Sequence, residues 1–296
     1  MPLESQVDLM ISSWKRQLEP MLHDQPDIIV LPEMCDRPAM LQADQVMDYF
    51  RFRGSRILDV FKETAKQHRC YIAYPSAYEM PDGTFRNSML LIDREGEITG
   101  IYHKNHLTIL ESERRGYLYG KEPAVFETDF GKVACTICFD LNFEELRLQY
   151  EAAKPDLILF SSAYHGGFMQ SYWAYSCRAH FVGSINTMKS PCTILSPLGE
   201  VLGASSNYFP FVTKTINLDC AVIHLDFNRN KFNEIKKKYN TLVSIETPPY
   251  LGAALLSSES DQFNVSDIIA EFDLEVIDDY FDRSRAHRMA PGRMEN

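Results

Sequence analysis

No uninterrupted apolar run in these 296 residues approaches the roughly 20 that a membrane-spanning helix needs, so an integral helical membrane protein is disfavoured. The opening stretch, MPLESQVDLMISSWKRQLEP, lacks the basic-then-apolar order of a secretory signal. Positive charge is short as well. The formal net charge is -11 and the pI about 5.2, which disfavours general nucleic-acid binding, because phosphate backbones recruit basic surfaces. There is no repeat of fixed period and no low-complexity segment. The 7 cysteines are odd in number and lack framework spacing, which reads as free thiols in a reducing, cytoplasmic setting.

What is present is apolar material, 45% of the chain, enough to bury a sizeable core. Residues 7–22 read as a helix, with Leu9, Ile11, Trp14, Leu18 and Leu22 roughly on one side. The apolar run Ile28–Leu31, stopped by Pro32, suits a central strand buried on both faces. Residues 45–68 read as a second helix with a stripe of Phe50, Ile57, Val60 and Phe61. CYIAYPSAYE is a strand and MPDG a turn; NSMLLIDREGEITGIYHK and AVFETDFGKVACTIC are hairpins turning at Arg94–Gly96 and Asp129–Gly131.

Beyond Cys138 the period changes to helical through Phe143, Leu146, Tyr150 and Ala153, with Asn142 placed to cap and Glu145 at the capping-box position. DLILFSSA follows as a strand, 168–181 as a helix, then VGSIN, CTILSPLGEVLG and CAVIHLDF as strands and 228–239 as a helix. Helices alternate with strands, yet several strand pairs are hairpins, which predicts an α/β or α+β sandwich with mixed sheets. Composition shifts near 240: ETPPYLG reads as a linker and the region 264–285 as a helix with an acidic face. The expected division is a main domain, 1–240, and a C-terminal arm, 241–296.

The stretch VACTICFDLNFEE, residues 133–145, places Cys135 and Cys138 three apart. A redox pair, half a metal site, packed core thiols and a nucleophile are all readings of that spacing. Zinc usually needs a second matching pair, and no second CxxC exists; His103 and His106 are a loose partner. A thioredoxin-type pair opens a helix directly, whereas Cys135 lies inside the strand. By period two, Cys135 shares a face with Ile137, as a core thiol would. Cys138 stands where strand gives way to helix, a place that presents a nucleophile on a sharp turn, with following N–H groups free for an oxyanion and a helix start favouring thiolate.

Two further residues have matching chemistry. Glu33 directly follows the apolar strand, and a carboxyl beside buried apolar residues suits a general base near neutrality. Lys104, in IYHKNHL, ends a strand, where a fixed cation stabilises a tetrahedral oxyanion. VLPE, YHKNHL and CFDLNFEE, in that order, together with KPDLILFSSA, SPLGEVLG and the Arg178–Ala179 pair, resemble the nitrilase or carbon–nitrogen hydrolase superfamily over roughly residues 7 to 227.

The resemblance implies a four-layer α-β-β-α sandwich of two mixed sheets, and Glu33, Lys104 and Cys138 as a catalytic set. It implies no metal or organic cofactor. A second glutamate that orients the lysine is expected at Glu113, in ERRGYLYG, with Glu111 as its competitor. The backbone N–H of Phe139 joins Lys104 as oxyanion donor; Tyr164, His165 and Arg178 are candidates for substrate contact.

Cys138-Phe139-Asp140 resembles the amidase and carbamoylase branches more than nitrilases. The implied activity is hydrolysis of a linear amide or N-carbamoyl compound through a cysteine acyl-enzyme. A nitrile hydrolase, an acyl or amide transferase and a non-catalytic or redox protein on the same scaffold are the alternatives. The partners implied are a small-molecule amide or carbamoyl substrate and further copies of the chain, as a homodimer or larger. The sequence departs from the family pattern at Asn142, where the motif has arginine, at Glu144, where it has proline, and in having no strand ahead of the first helix.

Overall fold

Apolar periodicity places the first elements, and glycine and left-handed residues end them. The computed structural model describes residues 1–187 and 189–294. Helix α1 runs Leu3–Leu22 and buries Val7, Trp14 and Leu18, while Leu9 faces solvent instead of joining the stripe. Strand β1, Ile28–Val30, follows. The helix expected over 45–68 is broken in two, α2 (Val46–Arg53) and α3 (Arg56–His68), because Gly54 at φ +54 ends the first turn-run. Phe50, Ile57 and Phe61 are buried as predicted. Strands β2 (Tyr71–Glu79), β3 (Phe85–Ile92) and β4 (Ile98–His103) complete a sheet of order β1-β2-β3-β4, with β1 and β2 parallel and the other pairs antiparallel.

A short helix α4 (Ile109–Arg115) leads to the second hairpin, β5 (Val125–Thr128) and β6 (Gly131–Ile137). Helix α5 spans Glu144–Ala153, β7 Leu157–Ser162, α6 Phe168–Cys177 and β8 His180–Ile185, followed by β9 (Thr193–Leu195) and β10 (Val201–Ala204). These strands form a second mixed sheet, β10-β9-β8-β7-β6-β5, whose centre β6-β7-β8 is parallel. The α6 helix stops earlier than the expected residue 181, because Arg178 turns left-handed at φ +57 and releases the chain into β8. Asn142 does not cap α5; Phe143 holds that position and the Asn142 amide bonds elsewhere. The mixed α/β class is as read from the sequence.

Within this unit β3 lies against β6, and β1 against β7 and β8. One core cluster joins α1, α2 and α3 to the first sheet, through Trp14, Leu18, Phe61 and Ile72 among others. Another joins α5 and α6 to the second sheet, through Tyr150, Trp173, Phe160 and Phe181. The C-terminal ends of β1, β6, β7 and β8 are thereby collected at one edge of the two sheets. That collection positions the site.

The chain divides into two compact units, Met1–Lys214 and Thr215–Asn296, rather than near residue 240. The reason is strand pairing. In the second unit β11 (Cys220–His224), α7 (Phe232–Tyr239), β12 (Val243–Glu246) and β13 (Ala253–Ser258) build a sheet of order β11-β13-β12, so residues on both sides of 240 share one core. ETPPYLG joins two paired strands and is not a linker between domains. The region 264–285 is two helices, α8 (Val265–Glu271) and α9 (Ile277–Arg288), parted by Asp273 at φ +48. Among the described residues no helix is long and apolar enough to cross a membrane.

Candidate active site

The β6 strand ends at Ile137, and Cys138 opens a 3-10 turn over Cys138–Asn142. Its φ of +50 is a left-handed conformation that costs a residue bearing Cβ about 1–3 kcal/mol. Asp140, fully buried, holds the turn in place. Its carboxylate accepts hydrogen bonds from Ile137 N at 3.0 Å, Tyr102 Oη at 2.7 Å and His106 N at 2.8 Å. Tyr102 and His106 flank Lys104 and Ile137 precedes Cys138, so one carboxylate indexes the two segments to each other. Cys135, by contrast, is sealed in the strand, and burial pushes its thiol up to about 12.

Glu33 lies just past β1 and Lys104 just past β4, and both are buried. Lys104 Nζ donates to Glu33 Oε1 at 2.9 Å and to Glu111 Oε2 at 3.0 Å. Asn87 Nδ2 bridges the two carboxylates, 2.8 Å from Glu33 Oε1 and 2.9 Å from Glu111 Oε1. Glu33 Oε2 accepts from Ala163 N at 3.1 Å, and the Glu33 carbonyl from Asn186 Nδ2 at 3.0 Å. The expectation for Glu113 is therefore corrected: Glu113 is exposed, and Glu111 is the second carboxylate on the lysine.

Local helix chemistry explains the choice. Thr108 is the N-cap of α4, and Glu111 closes a capping box by accepting from Thr108 N at 2.9 Å and Thr108 Oγ1 at 3.0 Å. Both bonds fix Oε2, Asn87 and Lys104 hold Oε1, and the side chain is buried. Thr108-Ile-Leu-Glu111 is a legible signature, and applying it would have picked Glu111 over Glu113.

The electrostatics suit a base acting on a thiol. Burial is the largest influence on Cys138 and, with the Glu33 charge, pushes its thiol up to about 11; Lys104, the Ser162 hydroxyl and Ala163 N–H pull the other way. The sulfur is therefore protonated at neutral pH, against the thiolate expected from the helix start. Burial would lower Lys104, but attraction to Glu33, Cys138 and Glu111 holds it well above its ordinary value, so it stays charged. Glu111 feels burial first, which raises it, yet Lys104 and its hydrogen bonds hold it below the ordinary carboxyl range.

The remaining expected residues separate. Phe139 follows Cys138 and packs edge-on against Phe143; as second residue of the turn, its N–H lies outside the turn's own hydrogen-bond ladder. Tyr164 follows β7, is half-buried, and its hydroxyl accepts from Asn142 Nδ2 at 2.9 Å. Burial, the largest cause, raises that hydroxyl to about 12, with the Cys138 charge adding to it. His165 Nδ1 accepts from Gly167 N at 3.1 Å, its Nε2 is buried without a partner among the described residues, and burial lowers its pKa.

Arg178 is at the wrong end. It precedes β8, which starts in register with Leu157, whereas Cys138 follows the far end of parallel β6. Some six strand residues at about 3.3 Å each separate those edges, and the Arg178 guanidinium stacks on Tyr175 at 4.6 Å. The expectation that it contacts substrate beside Cys138 is therefore corrected. Two residues escape the sequence reading: Asp140, inside the Cys138 turn itself, and Asn87, which strand pairing brings between Glu33 and Glu111.

A family model described as carbon-nitrogen hydrolase matches residues 5–183. The chain is 32% identical over 138 residues to 2-oxoglutaramate amidase of Bacillus subtilis, covering 46% of this chain and 52% of the relative, so it spans about half that relative's length. It is 25% identical over 221 residues to deaminated glutathione amidase of Dictyostelium discoideum, covering 64% of this chain and 76% of that protein. Among solved structures, the carbon-nitrogen hydrolase of Helicobacter pylori G27 superposes with a TM-score of 0.57 at 15% identity, covering 69% of this chain and 81% of that one. That likeness establishes a shared fold.

Proposed function

The chain belongs to the carbon–nitrogen hydrolase family, and from that premise we propose that it hydrolyses the C–N bond of a small linear amide through a Cys138 acyl-enzyme. Glu33 takes the thiol proton as the sulfur attacks the carbonyl carbon. Lys104 Nζ and the Phe139 N–H carry the resulting oxyanion. The C–N bond then breaks, and the nitrogen leaves as ammonia with the proton Glu33 had taken. Water next attacks the thioester, again giving a proton to Glu33, and the carboxylic acid departs as the thiol is restored. Two small barriers replace one large one. Glu111 and Asn87 hold Lys104 and Glu33 in place.

The observation that carries this reading is the contact set around Glu33, with one oxygen on Lys104 and the other on Ala163 N–H, while the Glu33 and Lys104 charges both act on the Cys138 thiol. A protonated thiol beside a base-competent carboxylate fits proton transfer concerted with attack. The relatives named for 2-oxoglutaramate and deaminated glutathione point to primary amides of small carboxylic acids as the first substrates to try. A panel of ω-amides, N-carbamoyl amino acids, N-carbamoyl amines and nitriles, scored by ammonia release, tests the reading. Release from an amide that vanishes in Cys138→Ala is the expected result. No release from any compound, with no cysteine labelled by an electrophilic amide at neutral pH, overturns it.

A further inference from the structure

Two residues past Lys104, His106 carries a ring that reaches the Cys138 turn and the helix after it. The ring stacks on Phe143, the residue that closes that turn, with centroids 3.8 Å apart and planes 5° apart. Its Nδ1 lies 3.2 Å from Asp140 Oδ1, and its Nε2 lies 3.4 Å from Glu145 Oε1 in the first turn of α5. The surroundings of Asp140 decide which nitrogen holds a proton. An ionised carboxylate offers about four acceptor sites. Ile137 N and Tyr102 Oη fill two of them on Oδ2, at 3.0 and 2.7 Å, and His106 N fills one on Oδ1 at 2.8 Å. The fourth faces His106 Nδ1. Asp140 is sealed from water, whereas the Glu145 side chain is 65% exposed and open to hydration. An unmet acceptor costs more when it is buried, so the proton of a neutral His106 ring belongs on Nδ1.

We propose that His106 is a positioning residue: with Nδ1 protonated and its ring flat on Phe143, it fills the last acceptor site of Asp140 and locks the Cys138 turn to the Lys104 segment. This rests on the reading of Cys138 as the nucleophile. His106 acts through Asp140 and Phe143 and handles no transferred proton. The turn has need of such a tie. Cys138 holds a left-handed φ of +50, a conformation that persists only where the neighbours over-determine it. Lys104 is itself fixed at both backbone ends, its N–H on the Asn87 carbonyl and its carbonyl on the Gly120 N–H, each at 2.8 Å. A side chain two residues from that fixed point, bound to the turn, keeps the ammonium, the sulfur and the Phe139 N–H in one arrangement.

Two measurements on the full chain test this. The first is nuclear magnetic resonance of protein labelled with nitrogen-15 histidine, the His106 signals being assigned by their loss in His106→Asn. A proton on Nδ1 is the expected result. A bare Nδ1 overturns the proposal whether or not amides are hydrolysed. The second is amide turnover, which separates the donor from the ring. His106→Phe keeps a flat ring against Phe143 and loses the donor, so kcat is expected to fall about 10- to 100-fold with KM held within about threefold. His106→Asn, whose Nδ2 stands as many bonds from Cα as the ring Nδ1 does, is expected to recover most of that loss. A merely structural packing role gives the reverse order, with His106→Phe active and His106→Asn impaired, and overturns the proposal. An unchanged kcat in His106→Phe overturns it as well. A wild-type protein that hydrolyses no amide overturns the hydrolase reading alone, and the Nδ1 signal still decides the tie between His106 and Asp140.

Discussion

Two buried charge clusters stand three residues apart on the chain and behave differently. Around Asp36, one carboxylate meets one guanidinium: Arg53 Nη1 is 2.8 Å from Asp36 Oδ2, which also accepts from Tyr74 Oη at 2.5 Å and Ser76 Oγ at 2.7 Å. That cluster is neutral overall and sealed, Asp36 being fully buried. Around Glu33, two carboxylates share a single ammonium. The second cluster carries one more negative charge than positive, beside a thiol that remains partly open. A balanced cluster holds a fold together, whereas an unbalanced one is ready to accept a proton.

The sharpest way to break this contrast is to remove the sulfur. Cys138→Ala is expected to lower amide turnover by about 10^4-fold or more, while Cys135→Ala, sealed in the strand, retains most of it; ammonia release from both variants decides. Equal losses would show that the open cluster is not where chemistry occurs.

Next in size is Glu33→Gln, which balances the second cluster like the first. Turnover is expected to fall about 10^2- to 10^4-fold for want of a base. The Glu33 charge raises the Cys138 thiol, so removing it lowers that pKa and speeds alkylation at a fixed pH. Opposite movements of turnover and alkylation separate loss of a base from loss of structure.

Asp36→Ala tests the sealed cluster. It leaves Arg53 buried without its counter-charge and is expected to cost about 3–5 kcal/mol in chemical denaturation.

Glu111→Gln is expected to cut kcat about 10- to 100-fold by loosening Lys104, and Glu113→Gln, on the exposed side of α4, to leave kcat unchanged within about twofold. The folded value of Glu111 lies below its unfolded value of roughly 4.3. Its stabilisation is therefore present above that range and is lost as pH falls through the folded value. Glu111→Gln should flatten this acid limb in denaturation measured against pH.

Glu33, Lys104 and Cys138 were legible because each sits at the end of a strongly patterned strand, where sequence marks a place as well as a residue type. Glu111 was also legible, through Thr108-x-x-Glu111, but counting back from Gly120 selected its neighbour two residues on. That error placed the side chain on the opposite side of a helix. Arg178 was misplaced because the helix stop and strand start around it were read too late in the chain. The start of β8 at His180 puts the arginine at the edge of the sheet away from the sulfur. The second unit is least legible from sequence, because its boundary is set by β13 pairing back onto β11, which lies ahead of residue 240.

By itself the sequence determined the run of strands and helices, the turn that exposes one cysteine, and the residue types available for acid–base work, since all of these are set by local period and local backbone chemistry. Tertiary structure alone decided that Asn87 bridges the two carboxylates, that the Ala163 N–H holds Glu33, and which arginine is too distant to matter. Those outcomes depend on the order and direction of strands: Lys104 meets Glu33 across 71 positions and Ala163 meets it across 130. No local pattern encodes a contact between side chains that only sheet pairing brings within hydrogen-bonding distance.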